Sequence, residues 1–393
     1  MEKEESLILA DSLGAFPRNL YHTLVKLNPD INLICSPISI QTCAGMLRMG
    51  ADDGSETAKQ LDEGLNFTSS DVNLLADGFY NTLNYYQQSS VLQMANKIYI
   101  MQKYQTRMEF SDVLTQKFLS NIENIDFSNS KKAANTINAW VESQTNSLIK
   151  DVVQQNVLNA DTRLVLVNAI RFKGEWTIKF DESTTQNEDF FLDDKNRTIV
   201  DMMHSTNNYF YADLTNFEAK ALRMAYKDSE LYMLIILPNQ KNGLNSLEQK
   251  LRLTPLDSIT SLLKETKVSL KVPKFKAEFE TELTPVFKEL GISIIFSSQA
   301  EFGKMLEQNE PLSVSNILHK AFIEVNEEGT EAAAATAMVM MVRSAPAPES
   351  MPEIFHANHP FYYTIYDENH GSLFVGNLLN PAVTTCGQCC EMH

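Results

Sequence analysis

Residues 327–352 read Glu327-Glu328-Gly329-Thr330-Glu331-Ala332-Ala333-Ala334-Ala335-Thr336-Ala337-Met338-Val339-Met340-Met341-Val342-Arg343-Ser344-Ala345-Pro346-Ala347-Pro348-Glu349-Ser350-Met351-Pro352. The parts of this run ask for different backbones. Alanine is the best helix former, so propensity alone makes the first half helical. Met338 to Val342 are β-branched or methionine, and Pro346, Pro348 and Pro352 favour extended chain. Small residues, then apolar ones, then one arginine, then prolines describe an exposed loop that can also become a strand. In a strand alternate side chains share a face, so Thr330, Ala332, Ala334, Thr336, Met338, Met340 and Val342 fall on one side and Glu331 on the other. Such conflicts between local preference and global role tend to mark function.

The chain around this loop has 393 residues, with 33 Lys and Arg against 50 Asp and Glu, a net charge of −17. That acidity argues against nucleic acid or an anionic membrane surface as partner, since both need clustered cations. Composition is ordinary for a globular protein, with 44% hydrophobic residues. Length alone suggests two or three domains. No linker or internal repeat divides the first 340 residues, so a single domain over 1–393 is expected. The longest apolar run, Leu231 to Leu237, is far too short to cross a bilayer. The opening Met1-Glu2-Lys3-Glu4-Glu5-Ser6 is acidic where a secretory signal is basic, so no cleavable signal is legible.

Five cysteines, at 35, 43, 386, 389 and 390, are too few for a disulfide framework. Cys386, Cys389, Cys390 and His393 form only half a zinc motif. Cys390 stands four from the end, but Glu391 is not aliphatic, so a prenylation box fits poorly. Residues 382–393 read as a mobile thiol-bearing tail, with no metal.

Ser36-Pro37 followed by apolar residues to Gly50 has a cap, a proline at the first helical position and a terminal glycine, and predicts a helix. Val72, Leu75, Phe79, Leu83 and Tyr86 predict a second, and Ala133, Ile137, Trp140 and Val141 a third. Leu9 to Leu27 is similar, with Pro17 expected to kink or divide it. Strands are expected over Leu164 to Phe172, Leu231 to Leu237 and around Val268, Leu270 and Val272. Phe361 to Tyr366 and Leu373 to Val375 flank a hairpin turn. Helices come early and strands later, which gives an α+β class with a mixed or antiparallel sheet. No nucleophile elbow, zinc-protease pair, Walker loop or Rossmann fingerprint is present. Gly50 to Ser55 has the glycines of a phosphate loop but two carboxylates, Asp52 and Asp53, and reads as a turn between helices.

The hinge Glu327 to Ala334 resembles that of inhibitory serpins, and the resemblance, to the insect and ovalbumin types, covers nearly the whole chain. Supporting matches are Asn32 with Ser36-Pro37-Ile38-Ser39, Asn168-Ala169-Ile170-Arg171-Phe172-Lys173-Gly174-Glu175-Trp176, and Val272-Pro273-Lys274-Phe275. Ile317-Leu318-His319-Lys320, Asn358-His359-Pro360-Phe361, Phe374-Val375-Gly376-Asn377 and Asn380-Pro381 also match. Arg171 stands where the family commonly has tyrosine, and Pro17 interrupts the usual first helix.

The resemblance implies a serpin fold: helices around a large mixed sheet, further sheets, and an exposed reactive-centre loop at 327–352. It implies a suicide-substrate inhibitor rather than an enzyme. Family spacing from Gly329 puts the scissile bond between Arg343 and Ser344, on the loop's only basic residue. A buried carboxylate in a trypsin-like primary pocket reads such a side chain, so a trypsin-like serine protease is the expected covalent partner. The small hinge residues Gly329, Thr330, Ala332, Ala333, Ala334 and Ala335 favour insertion. Glu327 and Lys274 match a salt bridge at the point of loop entry, with Trp176 near. Ser36, Ser39, Asn168 and His319 match a polar cluster where the sheet parts. A non-inhibitory serpin and a cysteine-protease inhibitor are the alternatives.

No cofactor is implied. Ser69 to Ser90 covers the helix that carries cations in heparin-regulated relatives and has no Lys or Arg, so heparin activation is not expected. Asn66-Phe67-Thr68 and Asn196-Arg197-Thr198 are sequons, used only in the secretory pathway. The target class favours an extracellular monomer; the missing signal favours a cytoplasmic one.

Overall fold

The computed structural model describes residues 2–69, 71–87, 91–308, 310–330 and 351–384. Ala332, Ala333, Ala334, Ala335, Arg343, Ser344 and the cysteines at 386, 389 and 390 lie outside these residues. Among the described residues nine helices form: α1 (Glu2–Leu27), α2 (Pro37–Gly50), α3 (Glu56–Gly64), α4 (Val72–Gln87), α5 (Met108–Lys117), α6 (Ser130–Gln144), α7 (Leu244–Arg252), α8 (Leu256–Thr260) and α9 (Thr284–Glu289).

One nine-stranded sheet is built from β1 (Leu33–Cys35), β6 (Gln186–Phe191), β7 (Arg197–Leu214), β8 (Ala219–Ala225), β9 (Leu231–Pro238), β10 (Lys264–Pro273), β14 (Glu353–His356), β15 (Phe361–Asp367) and β16 (Gly371–Leu378). The other, seven-stranded, holds β2 (Leu92–Met101), β3 (Ile122–Ile125), β4 (Leu164–Phe172), β5 (Gly174–Glu175), β11 (Phe275–Glu282), β12 (Asn316–Val325) and β13 (Gly329–Thr330).

The periodicities translate into helices as expected. Ser36 caps α2 by accepting a hydrogen bond from Ser39 N, with Pro37 in the first turn. Gly50 closes that helix for a different reason than a left-handed turn: a Cβ there would lie 2.3 Å from Met305. Pro17 does not divide the first helix, which runs unbroken to Leu27. A proline removes one backbone bond, and the packing of Phe16, Leu20 and Leu24, all fully buried, outweighs that local loss. Gly50 to Ser55 is the connection between α2 and α3, with Asp53 paired to Lys304 at 2.6 Å.

In the seven-stranded sheet β4 and β12 are neighbours and run parallel, Val165 to Arg171 against Asn316 to Phe322. Antiparallel β2 flanks β4, and antiparallel β11 flanks β12. Every residue of β4 is buried, because both faces of the sheet are covered. Inward-facing Ile170, Phe172, Ala321 and Ile323 join the main core with α2. Outward-facing Val165, Val167, Ala169 and Leu318 join a second cluster under α6, with Ile137, Val141, Ile149 and Val152. The hairpin β15–β16 and strand β1 close the back of the molecule. There Asn32 pins the chain end, donating to the carbonyls of Asn380 and Val383 and accepting from Leu379 N and Asn380 N at 2.8–2.9 Å. Cys35 and Cys43 are buried and unpaired, and burial pushes both thiols up.

Candidate functional site: the hinge and the seam it enters

After β12 the chain reverses within three residues. Asn326 makes the turn: its side-chain Oδ1 accepts from Glu328 N and Gly329 N, and its own N donates to Gly329 O. The two residues of β13 then run back between β12 and β5. Thr330 pairs with Val325 on one side and Gly174 on the other. It is fully buried, and its hydroxyl meets Tyr226 Oη at 2.8 Å.

Gly329 is required by this approach. A Cβ at that position would lie 2.0 Å from the carbonyl oxygen of Gly174.

Trp176 floors the entrance. Its ring stacks on Tyr226 at 4.6 Å and its Nε1 donates to Asn326 O at 2.9 Å. Its backbone N donates to Glu328 O, and Phe180 N to Glu327 O. Lys274 Nζ stands 2.9 Å from Glu327 Oε2, and Thr185 Oγ1 donates to Glu327 Oε1 at 2.8 Å. Burial by itself would raise the Glu327 carboxyl, but the Lys274 and Thr185 bonds outweigh it and hold the pKa below the ordinary value. Lys179 clamps the neighbouring Glu328 and also Glu175, the latter at 3.1 Å. The expected Glu327–Lys274 pair and nearby Trp176 are thus brought together. Tyr226, Thr185 and Lys179 belong to the same site and carried no local sequence signal, since they meet the hinge only across 100 residues or more.

Farther down, β4 and β12 are held by one polar row. Asn168 and His319 are register partners, and His319 Nδ1 bonds Asn168 Oδ1 across the seam. Asn168 Nδ2 donates to Ser39 Oγ, from α2, and to Asn96 Oδ1, from β2. Asn168, His319 and Ser39 are fully buried, and Asn96 nearly so. Burial drives the His319 pKa down to about 3, so the ring is neutral. Asn168 Oδ1 can only accept, so the His319 proton sits on Nδ1; Nε2 has no hydrogen-bond partner. Ser36 stands one turn away as the helix cap and touches the row only through Ser39. Asn96 is a member that sequence reading missed. Its trace was an asparagine in a strand that also carries Gln93 and Lys97 and so gave no clear face pattern.

Of the two sequons, Asn196 is exposed on the β6–β7 turn, while Asn66 is half-buried and followed by the core residue Phe67. Among the described residues no cluster of His, Cys, Asp or Glu could hold a metal ion, and no helix is long and apolar enough to cross a membrane.

Residues 11–381 match the family model described as Serpin (serine protease inhibitor). Antitrypsin of Bombyx mori is 36% identical over 92% of this chain and 91% of its own. A structure of cleaved Serpin 42Da superposes with a TM-score of 0.86 at 47% identity, covering 95% of this chain and 99% of that one. Human thyroxine-binding globulin in complex with its ligand gives 0.87 at 27% identity, covering 97% and 100%.

Proposed function

Because the chain belongs to the serpin family, we propose that it is a suicide-substrate inhibitor of a trypsin-like serine protease, cleaved between Arg343 and Ser344. The observation that carries this reading is Thr330, buried between β12 and β5 and so already paired on both sides at the edge of the seam that an inserted strand would enter.

The chemistry of the bond is the protease's own. Its serine Oγ attacks the Arg343 carbonyl carbon, the bond to Ser344 nitrogen breaks, that amine leaves with a proton, and Arg343 remains as an ester. This chain supplies the movement that traps the ester. A strand entering from β13 runs antiparallel to both β4 and β12, replacing one parallel pair by two antiparallel ones. With about 14 residues at roughly 3.3 Å each, it carries the ester on the order of 45 Å before water cleaves it. The residues facing inward along it are small or apolar, so entry meets no charged obstacle.

Arg343 and the name of the Bombyx mori relative support a trypsin-like target. The likeness to a thyroxine-binding globulin keeps a non-inhibitory reading as the alternative. Incubation with trypsin followed by denaturing electrophoresis separates the two. A band of summed mass that survives detergent, and is missing for Arg343→Ala, is expected; cleaved protein without that band refutes inhibition.

A further inference from the structure

Away from the hinge, one carboxylate gathers three basic side chains from three strands. His204 of β7, Lys271 of β10 and His356 of β14 stand in one row, since Lys271 is the register partner of both histidines. Glu188 of β6 reaches this row from a position paired with Val200, four residues before His204. Its Oε1 accepts from Lys271 Nζ at 2.6 Å and lies 2.8 Å from His204 Nε2; its Oε2 lies 3.0 Å from His356 Nε2. The four side chains are between 19% and 32% exposed, so water supplies protons but screens the charges only in part.

The charge of this cluster depends on pH. With both rings neutral, Glu188 and Lys271 cancel. Each proton taken by a ring adds a positive charge beside Lys271, and only Glu188 opposes it. Burial is the largest effect on His356; with Lys271 and His204 adding to it, it outweighs the attraction of Glu188 and holds the pKa below the ordinary value. The two rings and the ammonium share one carboxylate, so protons on the rings compete. Among the described residues no other charged group pairs with Glu188. His359, three residues beyond His356, meets the Pro238 carbonyl instead, at 2.7 Å.

The consequence falls on β14, the shortest of the four strands. It has four residues and pairs only with β10, in parallel, at the edge of the sheet. Phe355 is fully buried and Lys220 Nζ reaches the Ile354 carbonyl at 3.0 Å, but Glu353 and Ile354 are exposed. His356 is the last residue in register, and the next amide, Ala357 N, donates to Lys271 O at 2.9 Å. An opened β14 puts His356 in water, where it titrates near 6.5. Below that pH the opened form binds protons more readily than the closed one, so acid favours opening.

We propose that Glu188, His204, Lys271 and His356 are an acid-sensitive clasp, which keeps β14 on the sheet at neutral pH and lets it open when the histidines are protonated. The clasp uses none of the hinge residues and does not depend on the inhibitory reading.

Hydrogen exchange of the full chain tests it, with protection factors of the β14 amides corrected for the intrinsic pH dependence of exchange. Between pH 7.5 and 5.5 the wild-type protection should fall about threefold or more, and by no more than about tenfold for each histidine, the limit set by titration from 6.5. His356→Gln should remove most of the fall, and His204→Gln combined with His356→Gln all of it. Lys271→Gln keeps both rings and should shrink the fall, because a protonated ring then has Glu188 to itself. Equal wild-type protection at the two pH values overturns the proposal. So does a fall that survives at full size in the double variant or in Lys271→Gln, since either places the acid response in another part of the molecule.

Discussion

At the scale of single residues, Gly329 and Thr330 set opposite limits on the hinge. Gly329→Ala drives a methyl into the Gly174 carbonyl, so the backbone must withdraw and Thr330 must leave Tyr226. The expected result is a hinge displaced from the seam and a higher number of inhibitor molecules consumed per protease trapped. Thr330→Arg acts later. It demands burial of a charge at the first rung, so cutting should outrun insertion and turn the inhibitor into a substrate. If Thr330→Arg still traps protease at the original stoichiometry, the inward face has been misassigned.

His319 adds a pH dependence. The unfolded histidine titrates near 6.5 and the folded one near 3, so between those values the unfolded state binds more protons. The stability that comes from a neutral His319 is complete above pH 6.5 and falls as pH drops toward 3, by about 1.4 kcal/mol per unit. Midpoints of His319→Gln measured over that range should lack this part of the slope.

At the scale of elements, two ion pairs hold the turn after β12: Lys179 with Glu328, and Lys274, at the end of β10, with Glu327. Lys274→Met leaves Glu327, nearly buried, with Thr185 as its remaining side-chain partner. A loss of about 1–3 kcal/mol in native stability is expected, because a charged acceptor keeps its desolvation but not its cation. Adding Glu327→Gln should recover part of it, which a double-mutant cycle measures. The effect can be seen locally, because the chain has only two tryptophans. With Trp140 changed to phenylalanine, emission reports Trp176 at the entrance, and Lys274→Met should shift it.

These elements also explain how much could be read from the residues alone. Strands β4 and β9 and helices α2, α4 and α6 were legible because each carries its own periodicity or cap. Strand β2 was not, since covering both of its faces erases alternation. Pro17 misled because its cost is local while the packing that tolerates it is tertiary. The hinge motif located Glu327, Lys274 and Trp176 by resemblance. Asn96, Thr185 and Tyr226 stayed hidden because a hydrogen bond between distant strands leaves no mark on either one.

At the scale of the whole molecule, the proposed inhibitory reading makes the native state a fold with one strand pairing too few. On that reading cutting the loop should raise the unfolding midpoint, since an inserted strand would gain two ladders of hydrogen bonds. The net charge of −17, with no cation on α4, further predicts that heparin leaves the rate of protease trapping unchanged. An acceleration of about tenfold or more would locate a cationic surface elsewhere.

The two buried thiols provide a clock for the openings of the native fold. Cys35 lies in β1, paired with Val375 of β16, and Cys43 inside α2 behind the seam. Neither can be alkylated until its surroundings open, and thiolate formation at either is suppressed by burial. The time each takes to react with a reagent in excess therefore counts openings of the molecule. Cys43 timed against Cys35 tells whether the helix behind the seam loosens before the closed back of the fold does.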